Sequence, residues 1–538
     1  MNLVLIWGYR LFVAALLAGG IAYAFHREWC YEQQVALTGC TSRDSSARST
    51  VVWLTPWALP MVIAVLWLIT LVFAGPAVGA AVLTEFSLQL VVLLTFYFGT
   101  LMLLLPLLRR KISARACATL WLLPVFLYYN LTVWRMSYLP PLVVLRVPPG
   151  VVPMLLGLWA TGFVAVVLWH MFSHFRFRRA LLRDARPVEE TDVVNLWGEE
   201  QRQVLLKRHI PLLTSPATAS PLTIGLFHST MCLVLPERAY TLDQYRLIFR
   251  HELRHVQRRD ADTKCFYILC KALCWFNPLV WIALKKAAAD LELSCDEMVV
   301  YGADNQTRRA YASLLLESAG DDRGLSTCLS ASASSLRHRL RGVVSPGEHT
   351  SGTKLLALMM AILVLCSGLV GVSGSYGTLG EVALASYGPD HRVSSVSIDG
   401  RTRYHSQRDM DPQTSGALLD CLSALPVTKL ATGQTVSDSE GSHLTAFVAA
   451  GDAYLFLNLT DQLCSVQDVN SDQISAVLCR VDGPVDWDYL GSLLEGAARG
   501  AVVGTAPNDE TITVTNNRRP RRKAAGPAYW FYYRSSRK

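Results

Sequence analysis

The sequence predicts a multi-pass α-helical membrane protein with two α+β units outside the bilayer, one between the last two spans and one after the final span. Three observations predict it. Of 538 residues, 51% are hydrophobic and only 17% are charged, an apolar excess foreign to ordinary soluble domains. The excess is gathered into blocks of membrane-crossing length, all before residue 174 except one at 355–374. The stretches 174–354 and 375–515 have the mixed composition of water-facing domains.

The apolar blocks fall at about 3–24, 51–74, 82–107, 116–134, 150–173 and 355–374. None shows the polar face of an amphipathic surface helix, which argues for lipid around them. Arg10 interrupts the first block, where a cleaved signal peptide is the other reading. Cations near span ends favour the cytoplasmic side. The clusters Arg109, Arg110, Lys111 and Arg115, then Arg176, Arg178, Arg179, Arg183 and Arg186, are separated by two spans and so share one side. This divides the chain into a membrane domain (1–173, about five helices), a cytoplasmic domain (174–353), a last span (354–374), an extracytoplasmic domain (375–515) and a basic tail (516–538). Cysteines fit in part. Cys232, Cys265, Cys270, Cys274, Cys295 and Cys328 read as reduced cytoplasmic thiols, and Cys421, Cys464 and Cys479 outside allow at most one internal disulfide. Cys30 and Cys40 would suit an oxidising exterior, although span parity puts their loop inside.

Within 174–353, residues 221–235 read as a strand or hairpin ending at Pro236. Helices follow at about 242–259, 262–274 and 279–300, the last two parted by Trp275-Phe276-Asn277-Pro278, and another at 308–319. The Ser-, Gly- and Arg-rich stretch 324–353 reads as a mobile connection. Beyond 374, short alternating runs such as Tyr454-Leu455-Phe456-Leu457 predict a small α+β domain. The tail, with Arg518, Arg519, Arg521, Arg522 and Lys523, reads as a solvated segment or as a contact for anionic lipid or wall polymer.

Chemistry is concentrated in His251-Glu252-Leu253-Arg254-His255. On a helix, residues four apart share a face, so His251 and His255 offer two imidazoles to one metal ion. Glu252 lies beside them as a general base. Zinc held by two neutral nitrogens and a carboxylate keeps a position open for water and makes that water a nucleophile near neutral pH. An acidic residue on a later antiparallel helix would complete the set. Glu292, in Asp290-Leu-Glu292-Leu-Ser-Cys-Asp296-Glu297, fits that role, and Asp296 shares its face and is placed to orient a ligand histidine. His228 and Tyr311 are candidates for stabilising a tetrahedral intermediate, core packing being the other role for each. Leu233-Val234-Leu235 offers a strand edge for an extended peptide, or is core. Cys265, Cys270 and Cys274 have helical spacing and read as buried thiols.

RHELRHVQRRD, WFNPLVW, LELSCDE and Tyr311 within RRAYASLLLES, with the upstream SPLTIGLFHSTMCLVLP, resemble in their order the BlaR/MecR family of membrane metallopeptidases across roughly 82–374. The resemblance implies a cytoplasmic α+β zincin-like metallopeptidase domain with a gluzincin-type site: His251, His255 and Glu292 on zinc, and Glu252 as base. It also implies signalling, in which an outside sensor detects a beta-lactam or related wall stress and the zinc domain cleaves itself or a repressor. The implied partners are a peptide or protein substrate, such as a cytoplasmic helix-turn-helix repressor, and membrane lipid; no direct nucleic-acid binding is expected.

Two departures matter. Two spans stand ahead of the family pattern, and the exterior domain is too short for a penicillin-binding fold. Covalent capture of a beta-lactam needs a Ser-x-x-Lys nucleophile. After residue 374 only Ser535 and Lys538, in the tail, have that spacing; Ser351 and Lys354 lie before the last span. Two other classes of function fit parts of the chain. A non-proteolytic receptor would need a structural zinc domain but not Glu252, and a constitutive quality-control protease would not need the exterior domain.

Overall fold

The computed structural model describes residues 3–38, 58–109, 111–126, 143–147, 151–204, 209–226, 228–320, 333–344, 349–367, 370–373, 375–388, 390–398, 402–405, 411–430, 442–451, 453–470 and 476–500. The first half is dominated by long apolar helices: α1 (Leu3–Thr38), α2 (Ala58–Leu108), the short α3 (Ala114–Leu120) and α4 (Val151–Arg183), with a four-residue strand, β1 (Val143–Arg146), ahead of α4. Trp7–Gln34, Ser87–Leu108 and Met154–Arg183 are each long and apolar enough to cross a bilayer.

Two of the expected spans merge and one breaks. The block at 82–107 and the described part of the block at 51–74, from residue 58, lie along the single helix α2, which at 1.5 Å per residue is ~76 Å long. Pro76 does not end it, because an apolar helix tolerates the loss of one backbone bond. The block at 116–134 is not one helix over its described part. α3 ends at Leu120 and gives way to turns over Trp121–Pro124, while residues 127–134 lie outside the described residues. All seven residues of α3 are buried, so its apolar character serves protein packing.

α1 runs between two landmarks. Near its start Arg10 donates to the Ser367 carbonyl (2.7 Å), and towards its end Glu28 and Glu32 lie 3.4 and 3.5 Å from Arg115. The end of α1 therefore shares a side with the first basic cluster.

The middle of the chain is α+β. β2 (Arg186–Pro187) and α5 (Thr191–Gln203) precede β3 (Leu212–Ser215), β4 (Leu222–Ile224) and β5 (Cys232–Pro236), and the sheet order is β2-β3-β5-β4. β5 pairs with β3 on one side and β4 on the other, and all five of its residues are buried. Leu233-Val234-Leu235 is thus core, and β4 supplies the sheet edge instead. Five helices follow: α6 (Leu242–Gln257), α7 (Asp260–Leu273), α8 (Pro278–Val299), α9 (Asn305–Gly320) and α10 (Ala333–Val344). Thr241 and Gln244 close a reciprocal capping box at the start of α6. Trp197 of α5 packs on Phe249 of α6 at 4.9 Å between centroids. Asn277 caps α8, with Pro278 in its first turn.

A boundary at residue 174 does not coincide with a break in the core. Phe266, Tyr267, Cys270 and Leu273 of α7 and Val280, Ala283 and Leu284 of α8 belong to one buried cluster with Leu94 and Leu101 of α2. The same cluster takes in Leu356 and Met360 of α11 (Thr353–Cys366). Asp290 of α8, fully buried, accepts from Arg109 (2.7 Å) and from Trp121 Nε1 (2.8 Å), and so ties α8 to the end of α2.

The expected last span is shorter than 355–374. α11 stops at Cys366, and β6 (Val370–Ser373) pairs in parallel with β1. β7 (Tyr376–Thr378), β8 (His391–Ile398), β9 (Thr402–His405), α12 (Pro412–Ser423), β10 (Pro426–Leu430), β11 (His443–Ala450), β12 (Ala453–Thr460), β13 (Leu463–Asp468), β14 (Ala476–Val481) and α13 (Trp487–Gly500) make the C-terminal unit. Its eight strands lie in the order β7-β10-β14-β13-β12-β11-β8-β9. Leu418 and Leu422 of α12 and Leu490 and Leu494 of α13 pack on Leu444, Val448, Leu455 and Leu457 of the sheet. Cys464 stands opposite Cys479 on neighbouring strands, both buried. The basic tail 516–538 lies outside the described residues.

Arg109→Met leaves the Asp290 charge buried without its cation, a change that costs ~3–5 kcal/mol. A lowered thermal midpoint in detergent, partly recovered in Arg109→Met with Asp290→Leu, is the expected measurement.

Candidate metal centre

The site is built on α6. Its i, i+4 spacing sets the His251 and His255 rings 4.7 Å apart, with Nε2 3.1 Å from Nε2. α8 brings Glu292 across, its Oε2 standing 3.6 Å from Nε2 of His251 and 3.4 Å from Nε2 of His255. A tetrahedral ion with metal–nitrogen bonds of ~2.0–2.1 Å needs donor atoms ~3.3 Å apart. The three separations match that requirement, so the residues present fit a metal ion.

The far ring nitrogens are held as well. Asp260, at the start of α7, has Oδ2 2.7 Å from His255 Nδ1. Burial alone would raise the Asp260 pKa, but Arg258 and His255 outweigh it and lower it, so a carboxylate accepts from Nδ1–H. The Tyr311 hydroxyl lies 2.7 Å from Asp296 Oδ1 and 2.9 Å from His251 Nδ1. Burial, then the charge of Asp296, pushes the Tyr311 pKa well up. The phenol therefore stays protonated and donates to Asp296, leaving its oxygen to accept from His251 Nδ1–H. With both rings neutral, as metal binding requires, each imidazole would present an Nε2 lone pair to the same point.

Asp296 is itself clamped. Arg339 of α10 donates to both of its oxygens, at 2.6 and 2.7 Å. Although burial works against the Arg339 cation, Asp296 raises its pKa well above the usual value.

Glu252 is 8% exposed and its Oε2 accepts from Thr223 Oγ1 of β4 at 2.8 Å. Gly225 follows β4 at φ +144°, where a Cβ would lie 2.6 Å from Met231 Cα, so the close connection from β4 to β5 requires glycine there. A second group, His255, Asp260 and Cys295, also lies within metal-ligand reach. The Arg258 guanidinium stands 3.1 Å from Cys295 Sγ and 3.7 Å from Asp260, a fixed cation that makes this group a support for His255 and not a second ion site.

Of the residues singled out in the sequence, His251, His255 and Glu292 converge. Glu252 stands next to them on α6, and Asp296 and Tyr311 lie behind His251. The Tyr311 hydroxyl faces Nδ1, the side away from Glu292, which is a positioning geometry and not that of an oxyanion donor. His228 opens the turn His228–Thr230, and its side chain lies outside the described part of the structure. Three contributors do not stand out in the sequence: Asp260, Thr223 and Arg339. The Leu336, Leu340 and Val343 spacing, helical in period, was the available signal for α10 within the supposed mobile connection.

Residues 142–343 match the family model described as BlaR1 peptidase M56. The regulatory protein BlaR1 of Bacillus licheniformis is 26% identical over 209 residues, covering 38% of this chain and 35% of that protein. The methicillin resistance mecR1 proteins of Staphylococcus aureus and Staphylococcus epidermidis are each 27% identical over 154 residues, covering 27% of this chain and 25% of theirs. Residues 142–343 thus form a domain of the BlaR1 peptidase M56 type. The chain spans about a third or less of the length of these relatives. The BlaR1 peptidase match takes in α4 through most of α10, and so every described residue of the metal centre.

Tyr311→Phe removes the nearer acceptor for His251 Nδ1–H while keeping the ring, and leaves only the Asp296 Oδ1 at 3.3 Å. Metal affinity should fall by ~10–100-fold, as for lost partners of other ligand histidines, read by competition with a chromogenic chelator.

Proposed function

We propose that this chain is a membrane zinc endopeptidase of a signal-transduction system. In this reading it cleaves itself or a cytoplasmic helix-turn-helix repressor when an external, cell-wall or antibiotic-type signal reaches the domain at 375–515. The observation that carries the reading is the convergence of His251, His255 and Glu292 beside Glu252, with the tautomer of both imidazoles set from behind. The peptidase domain is taken as 174–353 and cytoplasmic, on the side marked by the basic clusters; the domain after 374 is extracytoplasmic.

His251, His255 and Glu292 would hold zinc, which when bound supplies Lewis acidity and a nucleophilic water near neutral pH. Glu252 takes the proton from the attacking water and delivers it to the leaving amine. Thr223 restrains the Glu252 carboxylate, and β4, paired on one edge only among the described residues, offers its other edge to an extended peptide. Asp260, Tyr311, Asp296 and Arg339 keep the imidazoles in place. A structural zinc module has no need of Glu252, which favours the enzyme over a receptor that only binds metal.

The deciding experiment uses full-length protein in vesicles and follows self-cleavage and cleavage of a helix-turn-helix repressor by mass spectrometry. Glu252→Gln keeps its metal and loses cleavage, whereas Glu292→Ala loses metal; undiminished cleavage by Glu252→Gln would sink the assignment. Thr223→Val, missing one hydrogen bond to a charged group, should turn over roughly tenfold more slowly at unchanged metal content. The described exterior unit is a small sheet-and-helix domain, and no Ser-x-x-Lys lies in it. Fluorescent penicillin should therefore leave the protein unlabelled, and a single acylated serine would refute a signal other than covalent capture.

A further inference from the structure

The tip of the α7–α8 hairpin, Cys274 to Pro278, touches the long helices far from their charged ends. Asn277 Nδ2 donates to Thr95 Oγ1 of α2 at 2.8 Å. The Trp275 ring lies on α4 at Gly162, where a Cβ would stand 2.2 Å from it. Trp159 Nε1 of α4 donates to the Leu273 carbonyl (2.9 Å), and Trp275 Nε1 returns a bond to the Trp159 carbonyl (3.3 Å).

Three helices measure the depth of that tip. On α2, Thr95 is 14 residues before Arg109; on α4, Gly162 is 14 residues before Arg176; on α8, Asn277 is 13 residues before Asp290. At 1.5 Å per residue each path is ~20 Å. The paths on α2 and α8 end at the same place, the Arg109–Asp290 ion pair. Arg109 and Arg176 mark the ends of spans that cross a hydrocarbon core of ~30 Å, so the tip lies well inside it.

The hairpin is made for that medium. From Phe266 to Leu284 the only charged residue is Lys271, whose Nζ lies 5.4 Å from the Trp281 ring centroid. The turn leaves few backbone groups to water. Cys274 N–H bonds the Cys270 carbonyl, Asn277 N–H the Cys274 carbonyl, and Leu279 N–H the Asn277 side chain, while Trp281 Nε1 takes the Trp275 carbonyl. Such internal pairing is what a bilayer demands of non-helical backbone. Phe276 and Ile282 are nevertheless 53% and 52% exposed.

We propose that α7 and α8 form a re-entrant membrane hairpin, entering from the metal-centre side and turning back within the bilayer, with Phe276 and Ile282 against lipid acyl chains. Glu292 lies two residues past Asp290, so the metal centre sits at the bilayer surface. On the peptidase reading, and resting on it, the substrate is a polypeptide segment presented at that surface. The membrane assignment itself needs no catalysis.

The test reconstitutes the full chain in phosphatidylethanolamine and phosphatidylglycerol vesicles doped with a diazirine on the acyl chain, and maps adducts by mass spectrometry. A parallel sample is oxidised by hydroxyl radicals in the water phase. Leu316 of α9, 52% exposed, is the control for a residue equally open but in water. The expected result is acyl adducts on Phe276 or Ile282 at yields matching Leu155 and Leu158 of α4, with Phe276 oxidised far less than Leu316, each normalised to the denatured chain. Acyl adducts confined to α1, α2 and α4, with Phe276 oxidised as readily as Leu316, would overturn the proposal. So would failure of the acyl label to reach residues 275–282 whatever the oxidation pattern.

Discussion

Two imidazoles four residues apart can serve one ion only if both Nε2 lone pairs face the same point, and the rest of the centre follows from that requirement. The partner of each Nδ1 decides which nitrogen carries the proton. For His255 the partner is Asp260, which the chain supplies by turning through Arg259, at φ 56°, directly after α6. For His251 it is the Tyr311 hydroxyl, polarised by Asp296. α8 must then lie across α6 so that Glu292 and Asp296, one helical turn apart, reach the front of one imidazole pair and the back of one ring. Arg339 completes the set, since a fully buried Asp296 carboxylate needs a paired cation.

That chain of partners places elements from distant parts of the sequence under one constraint. α9 contributes Tyr311 and α10 contributes Arg339, although both stand outside the histidine motif by more than 50 residues. α10 bonds α9 as well, through Arg308 and the Val343 carbonyl at 3.2 Å. Removal of α10 would leave Asp296 buried without its counter-charge, so the electrostatics of the centre depend on a helix that contributes nothing to the ion's donor set.

Local periodicity made much of this legible. The helical spacing of His251 and His255, and of Glu292 and Asp296, is a property of neighbours in sequence, and the structure brings the first three to one point and sets Asp296 behind His251. The strand-then-helix order before His251 was also visible. What escaped was set by tertiary contact: Thr223 meets Glu252 only because β4 lies over α6, and Arg339 meets Asp296 only because α10 folds back. The hairpin was hidden for a different reason. Its two apolar arms are each shorter than a span and are separated by Asn277-Pro278, so a hydropathy reading takes them for helices of a soluble domain. Burial of α3 shows the converse, since an apolar run of helical length there is partly the interior of a protein and not a bilayer crossing.

Arg10 is the residue that fits the membrane reading least in sequence and most in structure. A cation within the first apolar block suggests a broken span or a cleaved leader. Its guanidinium instead donates to the Ser367 carbonyl, at the end of α11, and lies 5.7 Å from the Trp7 ring centroid. α11 is only ~21 Å long at 14 residues, too short to carry the chain across a ~30 Å core unaided. The backbone that leaves it must find partners where water is scarce. Arg10 meets one carbonyl and shares the favourable field of a helix C-terminus, and β6 satisfies the next residues by pairing with β1. The end of this short apolar helix is thus closed by a cation from the first helix at the Ser367 carbonyl and by a strand before α4 that pairs with β6.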